Sequence, residues 1–213
     1  WLLIKDNEET KRKCVNIEFG IDMGSGSIDG DDTSITIVAR DSDEVIYVLS
    51  TVFGKFGLID TDKTGAINET MRLINIYKPS KVKIGYSGNE KTFLQVFRKY
   101  FLENKIYIPV IGRAQTGDKS KFERIWNTLT HLYESRRIYH SKGLTLLEAQ
   151  LEFLSTMKHD DLADSLEVAV QGLQAGNNID IDMFKKANRK IPFAKYKVAI
   201  NNDYGSDDKW LQN

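Results

Sequence analysis

One cysteine, Cys14, stands among 213 residues. A single thiol excludes an internal disulfide framework and fits a reducing compartment. The three histidines, His131, His140 and His159, are scattered, so a zinc site built from Cys and His has no support. No apolar run approaches the ~20 residues of a membrane span. The apolar start, Trp1–Ile4, is too short for a signal peptide. Neither sign of charge dominates: Lys+Arg and Asp+Glu both number 30. Bulk charge therefore neither announces nor excludes a polyanionic partner, because a local basic stripe can face a local acidic site. The chain shows no internal repeat, no low-complexity tract and no Gly-x-x-x-x-Gly-Lys-[Ser/Thr] phosphate loop.

A hydrophobic fraction of 41% and a charged fraction of 28% are those of an ordinary globular protein. The length suits one domain, or one domain with a tail. Residues 1–14, mostly polar, read as a linker or a trimmed end. Residues 15–175 read as the domain, and 176–213 as a C-terminal extension of weaker pattern.

Val15, Ile17, Phe19 and Ile21 alternate with Asn16, Glu18, Gly20 and Asp22, which predicts a first strand over Val15–Asp22. The Gly/Ser/Asp-rich stretch Met23–Asp32 reads as a turn. Further strands are expected at Thr33–Arg40, Glu44–Val52, Lys81–Tyr86, Ile106–Ile111 and, shorter, Arg137–His140. Helical periodicity marks Ile67–Tyr77, Glu90–Leu102, Ser120–Tyr133, Leu144–Leu154 and Asp160–Leu173. Beyond Gly176 a helix at Asp182–Ala187 and a strand at Tyr196–Ile200 are the remaining signals. Short connections between the first three strands imply an antiparallel meander, and the later helical crossovers imply parallel pairing. The result is an α/β fold: a mixed sheet flanked by helices, the plan of the ribonuclease H-like fold.

Two distant segments carry the chemistry. Asp22 closes the first strand on the face opposite the apolar one, and small residues follow it, so a phosphate backbone could approach. The structural alternative is an Asx-turn. Asp160, Asp161 and Asp164 open the last clear helix. At 100° per residue, Asp164 lies about 40° and Asp161 about 100° from Asp160, so all three can face one cleft. Leu162, Leu166, Ala169, Val170 and Leu173 form the apolar stripe behind them. The structural alternative is an acidic first turn favoured by capping and the macrodipole. Carboxylates gathered from distant segments are a usual means of holding divalent cations for phosphodiester cleavage, and cations relieve their mutual repulsion.

Taken together, Phe19–Thr33 and His159–Leu166 resemble the nuclease domain of the large terminase subunit of tailed phages. The early motif is a strand ending Gly-Ile-Asp, here at Asp22, with a small-residue loop and a later Asp32-Thr33. The late motif is His-Asp-Asp-x-x-Asp, here His159 to Asp164. The resemblance runs from about Asn16 to Leu173. The late motif is the more specific; the early one is shared with other ribonuclease H-like proteins.

This resemblance implies an endonuclease dependent on two Mg²⁺ or Mn²⁺ ions that cuts concatemeric double-stranded phage DNA during genome packaging. An ATPase motor domain would lie upstream in the full protein. The portal and the small terminase subunit would be partners, in the host cytoplasm. By matching position, Asp22, Asp160 and Asp161 would be the metal ligands, with Asp164 completing the catalytic set and His159 orienting a carboxylate or touching phosphate. The family also places a Glu or Asp at the end of the fourth strand, where this chain has Gly85. Glu90 and Glu18 are the candidate substitutes. For phosphate contact the candidates are Arg113, Lys119, Lys121 and Arg124, expected on a loop at the sheet's rim, together with Lys55; a solvated surface is the alternative for each.

Three rival readings remain. Asp22-Met-Gly-Ser-Gly-Ser also resembles the first phosphate loop of actin-like ATPases and sugar kinases, although no second copy of that loop occurs. Gly85 equally suits a catalytically weakened domain of the same fold that clamps DNA or docks a partner, and a branched-DNA resolvase is a nearer rival on the same fold.

Overall fold

The computed structural model describes residues 2–5, 8–11, 14–24, 32–55, 57–58, 65–86, 91–115, 120–141, 143–156 and 159–174. Thirteen elements follow in chain order: β1 (Leu2–Lys5), β2 (Glu8–Lys11), β3 (Cys14–Asp22), β4 (Thr33–Asp41), β5 (Ile46–Gly54), α1 (Ala66–Tyr77), β6 (Lys81–Tyr86), α2 (Lys91–Glu103), β7 (Val110–Ala114), α3 (Lys121–Glu134), β8 (Ile138–His140), α4 (Thr145–Glu152) and α5 (Asp161–Gln174). The segment read as a linker holds a two-stranded antiparallel sheet, β1 with β2. The helix and strand expected beyond Gly176 lie outside the described residues, as do Glu90 and Lys119.

The main sheet has the order β7-β6-β3-β4-β5-β8. Strands β3, β4 and β5 form the expected antiparallel meander. Strands β6 and β7 add in parallel on the β3 side, and β8 adds in parallel on the β5 side. The strand that ends in Asp22 is therefore interior to the sheet.

The two-residue alternation of β3 sorts the molecule into layers. Ile17, Phe19 and Ile21 join Ile35, Ile37, Val82 and Ile84 beneath α1 and α2, which contribute Ile67, Leu73, Leu94 and Phe97. On the other face Val38 and Val48 pack with Ile125 and Leu129 of α3, Leu147 of α4 and Leu162, Leu166 and Ala169 of α5. Helix α5 is buried from Asp161 through Val170. It is a core helix, which explains why its sequence carries apolar residues well beyond one stripe.

Helix α5 crosses the sheet directly over Gly20. A Cβ there would lie 2.1 Å from the Ser165 carbonyl oxygen and 2.4 Å from the Ala169 nitrogen. Only glycine permits this approach. The crossing is fastened by polar links: Ser34 Oγ donates to the Asp161 carbonyl at 2.6 Å, and the Thr36 and Ser165 hydroxyls pair at 2.7 Å.

The seventh strand differs from its expected span of Ile106–Ile111. Ile106 and Ile108 do pack on the core, but from a loop. Pro109 has no N–H to donate, and its carbonyl instead accepts the Val82 N–H at 3.0 Å. Pairing with β6 begins at Val110 and runs to Ala114. Arg113 thus belongs to a strand, not to the loop where its sequence context put it. Among the described residues no helix is long and apolar enough to cross a membrane.

Candidate active site

Asp22 and the start of α5 meet at one end of the sheet. Ser34, the cross-strand partner of Asp22, holds the Asp161 carbonyl, which ties the two segments together. The backbone N–H groups of Leu162 and Ala163 both reach Gln150 Oε1 on α4, at 2.9 and 3.1 Å. These are orphan donors of the helix start. Because Gln150 satisfies them, capping does not account for the Asp side chains.

The acids instead converge on cations from α3. Lys121 Nζ lies 2.7 Å from Asp160 Oδ1 and 3.0 Å from Asp164 Oδ2. Burial acts against its charge, but the carboxylates of Asp164, Asp22 and Asp160 together hold its pKa above the ordinary lysine value. Arg124 reaches Asp164 Oδ1 at 2.9 Å and Glu167 Oε2 at 2.6 Å. The neighbouring Thr128 and Gln171 donate to Glu167 Oε1, at 3.3 and 2.5 Å. Burial pushes the Glu167 carboxyl up, and Arg124 pulls it back. The stripe Asp160, Asp164, Glu167 and Gln171 recurs at helical spacing, so one face of α5 meets one face of α3 through charge.

Position 85 extends this picture. Gly85 follows Ile84, which pairs with Ile21, so it sits beside Asp22. A Cβ at Gly85 would lie 2.6 Å from Gln115 Nε2 and 3.0 Å from Val168 Cγ2. Gln115 fills the space that a side chain at 85 would need, and its Nε2 donates to Asp164 Oδ1 at 2.9 Å. Both oxygens of Asp164 are therefore engaged: Oδ1 by Gln115 and Arg124, Oδ2 by Lys121. Arg113 is the register partner of Gly85 on β7. Its Nε is buried with no hydrogen-bond partner among the described residues.

Glu18 shares the face of Asp22 but sits deeper, fully buried and ion-paired to the equally buried Lys83. Lys83 Nζ also donates to the Ala169 carbonyl of α5 at 2.5 Å. Burial pushes Lys83 down to about 8, against the pull of Glu18. Glu18 is thus committed to a structural pair.

His159 is exposed at the start of the segment. Lys55 pairs with Asp32 Oδ1 at 3.5 Å. Thr33 Oγ1 accepts the Gly24 N–H at 3.1 Å, which closes the base of the loop after Asp22.

The structure therefore gathers Asp160 and Asp164 around Lys121 and Arg124, at the end of the sheet where Asp22 closes β3 and where Ser34 holds the Asp161 backbone carbonyl. Sequence reading missed Gln115, Glu167 and Lys83. The available signal for Glu167 was its helical spacing from Asp160 and Asp164. Gln115 gave none, because its role follows from an empty position 30 residues earlier, at Gly85.

The donor chemistry suits a hard divalent cation: carboxylate oxygens from two elements already gathered around one positive charge. Among the described residues no group of three His, Cys, Asp or Glu side chains is arranged to hold a metal; the cation shared by Asp160 and Asp164 is the Lys121 ammonium.

No family model and no curated protein matches the sequence. Solved structures do match. The large terminase of the thermophilic bacteriophage D6E superposes with a TM-score of 0.55 at 13% identity, over 78% of this chain and 41% of the terminase chain. The fowlpox virus Holliday junction resolvase gives 0.47 at 16% identity, over 74% of this chain and 96% of the resolvase. The yeast mitochondrial Holliday junction resolvase gives 0.46 at 15%, over 77% and 82%. At such identities the likeness is one of fold: the chain has the ribonuclease H-like fold, the fold implied by its resemblance to the terminase nuclease domain.

Proposed function

We propose that this chain is a divalent-cation-dependent endonuclease acting on double-stranded DNA. The carrying observation is that Asp160 and Asp164 share a single cation, Lys121, at the end of the sheet where Asp22 closes an interior strand tied to α5 through Ser34. Gln150 caps α5, so these acids serve the cations of α3 and not the N–H groups of their own helix. Asp22, Asp160 and Asp161 would hold Mg²⁺ or Mn²⁺. When bound, such a cation supplies Lewis-acid stabilisation of phosphate charge and a nucleophilic water at neutral pH.

The protein's own residues set the stage for that chemistry. Asp22 is fixed by β3 and Asp161 by the Ser34 link. Lys121 and Arg124 are engaged with α5 carboxylates and Lys55 with Asp32, so phosphate contact would fall chiefly to Arg113 and Lys119. Such contacts give affinity without sequence preference and weaken steeply with salt. The finer reading, cleavage of concatemeric phage DNA in packaging with the portal, the small terminase subunit and an upstream ATPase domain, rests on the His159–Asp164 motif and the shared fold.

A second reading is favoured by Gly85 and Gln115: a neutral amide stands where an acid would complete the site, which suits a DNA clamp without cleavage. Cleavage of supercoiled plasmid with Mg²⁺, Mn²⁺ or EDTA separates the two. The nuclease reading expects metal-dependent nicking and linearisation that Asp22→Ala and Asp161→Ala both abolish. Folded protein that retards DNA but cleaves with neither metal would establish the clamp instead.

A further inference from the structure

We propose that the Lys121 ammonium takes the place of one of two active-site cations, so that the site accepts one divalent ion per chain rather than two. This rests on the nuclease reading and deepens it. Two divalent ions in one site need a surplus of carboxylate oxygens, because each ion brings two positive charges into a partly buried cluster. This chain has spent that surplus. Asp164 is engaged at both oxygens: Gln115 and Arg124 hold Oδ1, and Lys121 holds Oδ2. Asp160 Oδ1 is bound by the same ammonium. The position beside Asp22 that would carry one more acid is Gly85, and its space is filled by the neutral amide of Gln115.

These three features compensate one another. Loss of the acid at 85 removes a negative charge, and Lys121 supplies one positive charge where a divalent ion would have supplied two. A single hard cation remains compatible with the site, since Mg²⁺ is commonly held by one or two carboxylates with water and substrate phosphate completing its shell. Lys121 also extends from the first turn of α3, whose start is fixed by a capping box between Ser120 and Glu123. The ammonium is delivered by a rigid element, and not by a surface loop.

The test is a count of bound Mn²⁺ on the full chain, by electron paramagnetic resonance and isothermal titration. The expected result is one Mn²⁺ per wild-type chain, one for Lys121→Arg, which keeps the charge, and two only when Lys121→Met is combined with Gly85→Glu and Gln115→Ala, which restore the missing acid and its space. Gly85→Glu with Gln115→Ala alone should stay at one, because the ammonium is still in place. Two Mn²⁺ on the wild type, with metal-dependent cleavage intact, would overturn the proposal and leave the nuclease reading standing. Two Mn²⁺ on Gly85→Glu with Gln115→Ala would equally overturn the role of Lys121. No Mn²⁺ on the folded wild type together with no cleavage would overturn both readings. The wild-type count stands on its own if the combined variant does not fold.

Discussion

The side-chain amide of Gln115 donates to Asp164 at 2.9 Å from the space that any side chain at position 85 would enter. The two sites are thus alternatives: an acid at 85 or an amide from 115. Gly85→Glu by itself forces Gln115 away and presses on Val168, so it should cost about 1–3 kcal/mol of stability, as overpacking does. Gly85→Glu combined with Gln115→Ala should recover part of that loss and bind Mn²⁺ more tightly than wild type. Chemical denaturation and Mn²⁺ titration of the single and double variants check both halves. A double variant no more stable than Gly85→Glu would show that Val168, and not Gln115, bars the site.

Gly20 sets how closely α5 lies on the sheet. In Gly20→Ala the new methyl meets backbone atoms, Ser165 O at 2.1 Å and Ala169 N at 2.4 Å, and backbone cannot swing aside as a side chain can. The whole helix must lift, breaking the Ser34–Asp161 and Thr36–Ser165 links with it. The expected loss is about 3 kcal/mol or more, the top of the overpacking range. A urea midpoint near that of wild type would contradict this packing.

These two glycines show where sequence reading reached and where it stopped. The alternation in β3 announced its two faces, and Asp22 falls on the side expected. The helical spacing of Asp160 and Asp164 placed them on one face. Both signals are local, one element at a time. The pairing of Lys121 with Asp160 and Asp164 has no local signal, because a lysine at a helix start looks the same whether it meets solvent or an acid on another helix. The run Ile106–Ile111 imitates a strand and leaves Arg113 in the loop after it; only the pairing partner of Val110 reveals where pairing begins. Whatever depends on contact between elements, such as Gln115 beneath Gly85 or Lys83 beneath α5, left no trace in periodicity.

Arg124 joins Asp164 to Glu167, two buried acids on one helix. Arg124→Met removes the charge but keeps much of the aliphatic stem. Asp164 then keeps Lys121, but Glu167 loses its cation and the two buried carboxylates repel. Breaking a buried pair in this way costs about 3–5 kcal/mol, and the lower end applies because the guanidinium is partly exposed. Adding Glu167→Gln should restore much of the loss, since Thr128 and Gln171 can still bond the neutral side chain. Thermal melts of the single and double variants measure the coupling; additive effects would mean that Arg124 does not act through Glu167.

Glu18 and Lys83 form the most deeply buried ion pair, with Lys83 also bound to the Ala169 carbonyl. Lys83→Met alone leaves the buried Glu18 charge with Asn16 at 2.7 Å and the more exposed Lys81 at 3.6 Å, so it should cost about 3 kcal/mol, the lower end for breaking a buried pair, whereas Glu18→Leu with Lys83→Met should cost less. The pair also has a pH signature. Burial lowers Lys83 from 10.5 to about 8 in the folded chain. Between these values the unfolded chain holds a proton that the folded chain has released, so stability rises with pH across that window. The penalty for burying the charge is fully present below pH 8 and is gone above 10.5. Cys14 acts in the opposite sense, because burial raises its thiol from 9.0 to about 12 and the folded chain keeps a proton that the unfolded chain loses. That contribution is common to wild type and to the double variant, so it cancels in their difference. Urea unfolding of both at pH 7.5 and at pH 9.5 should therefore show wild type gaining on the double variant as pH rises. A difference that stays flat would mean that Lys83 keeps its proton throughout, with Glu18 and the Ala169 carbonyl outweighing its burial.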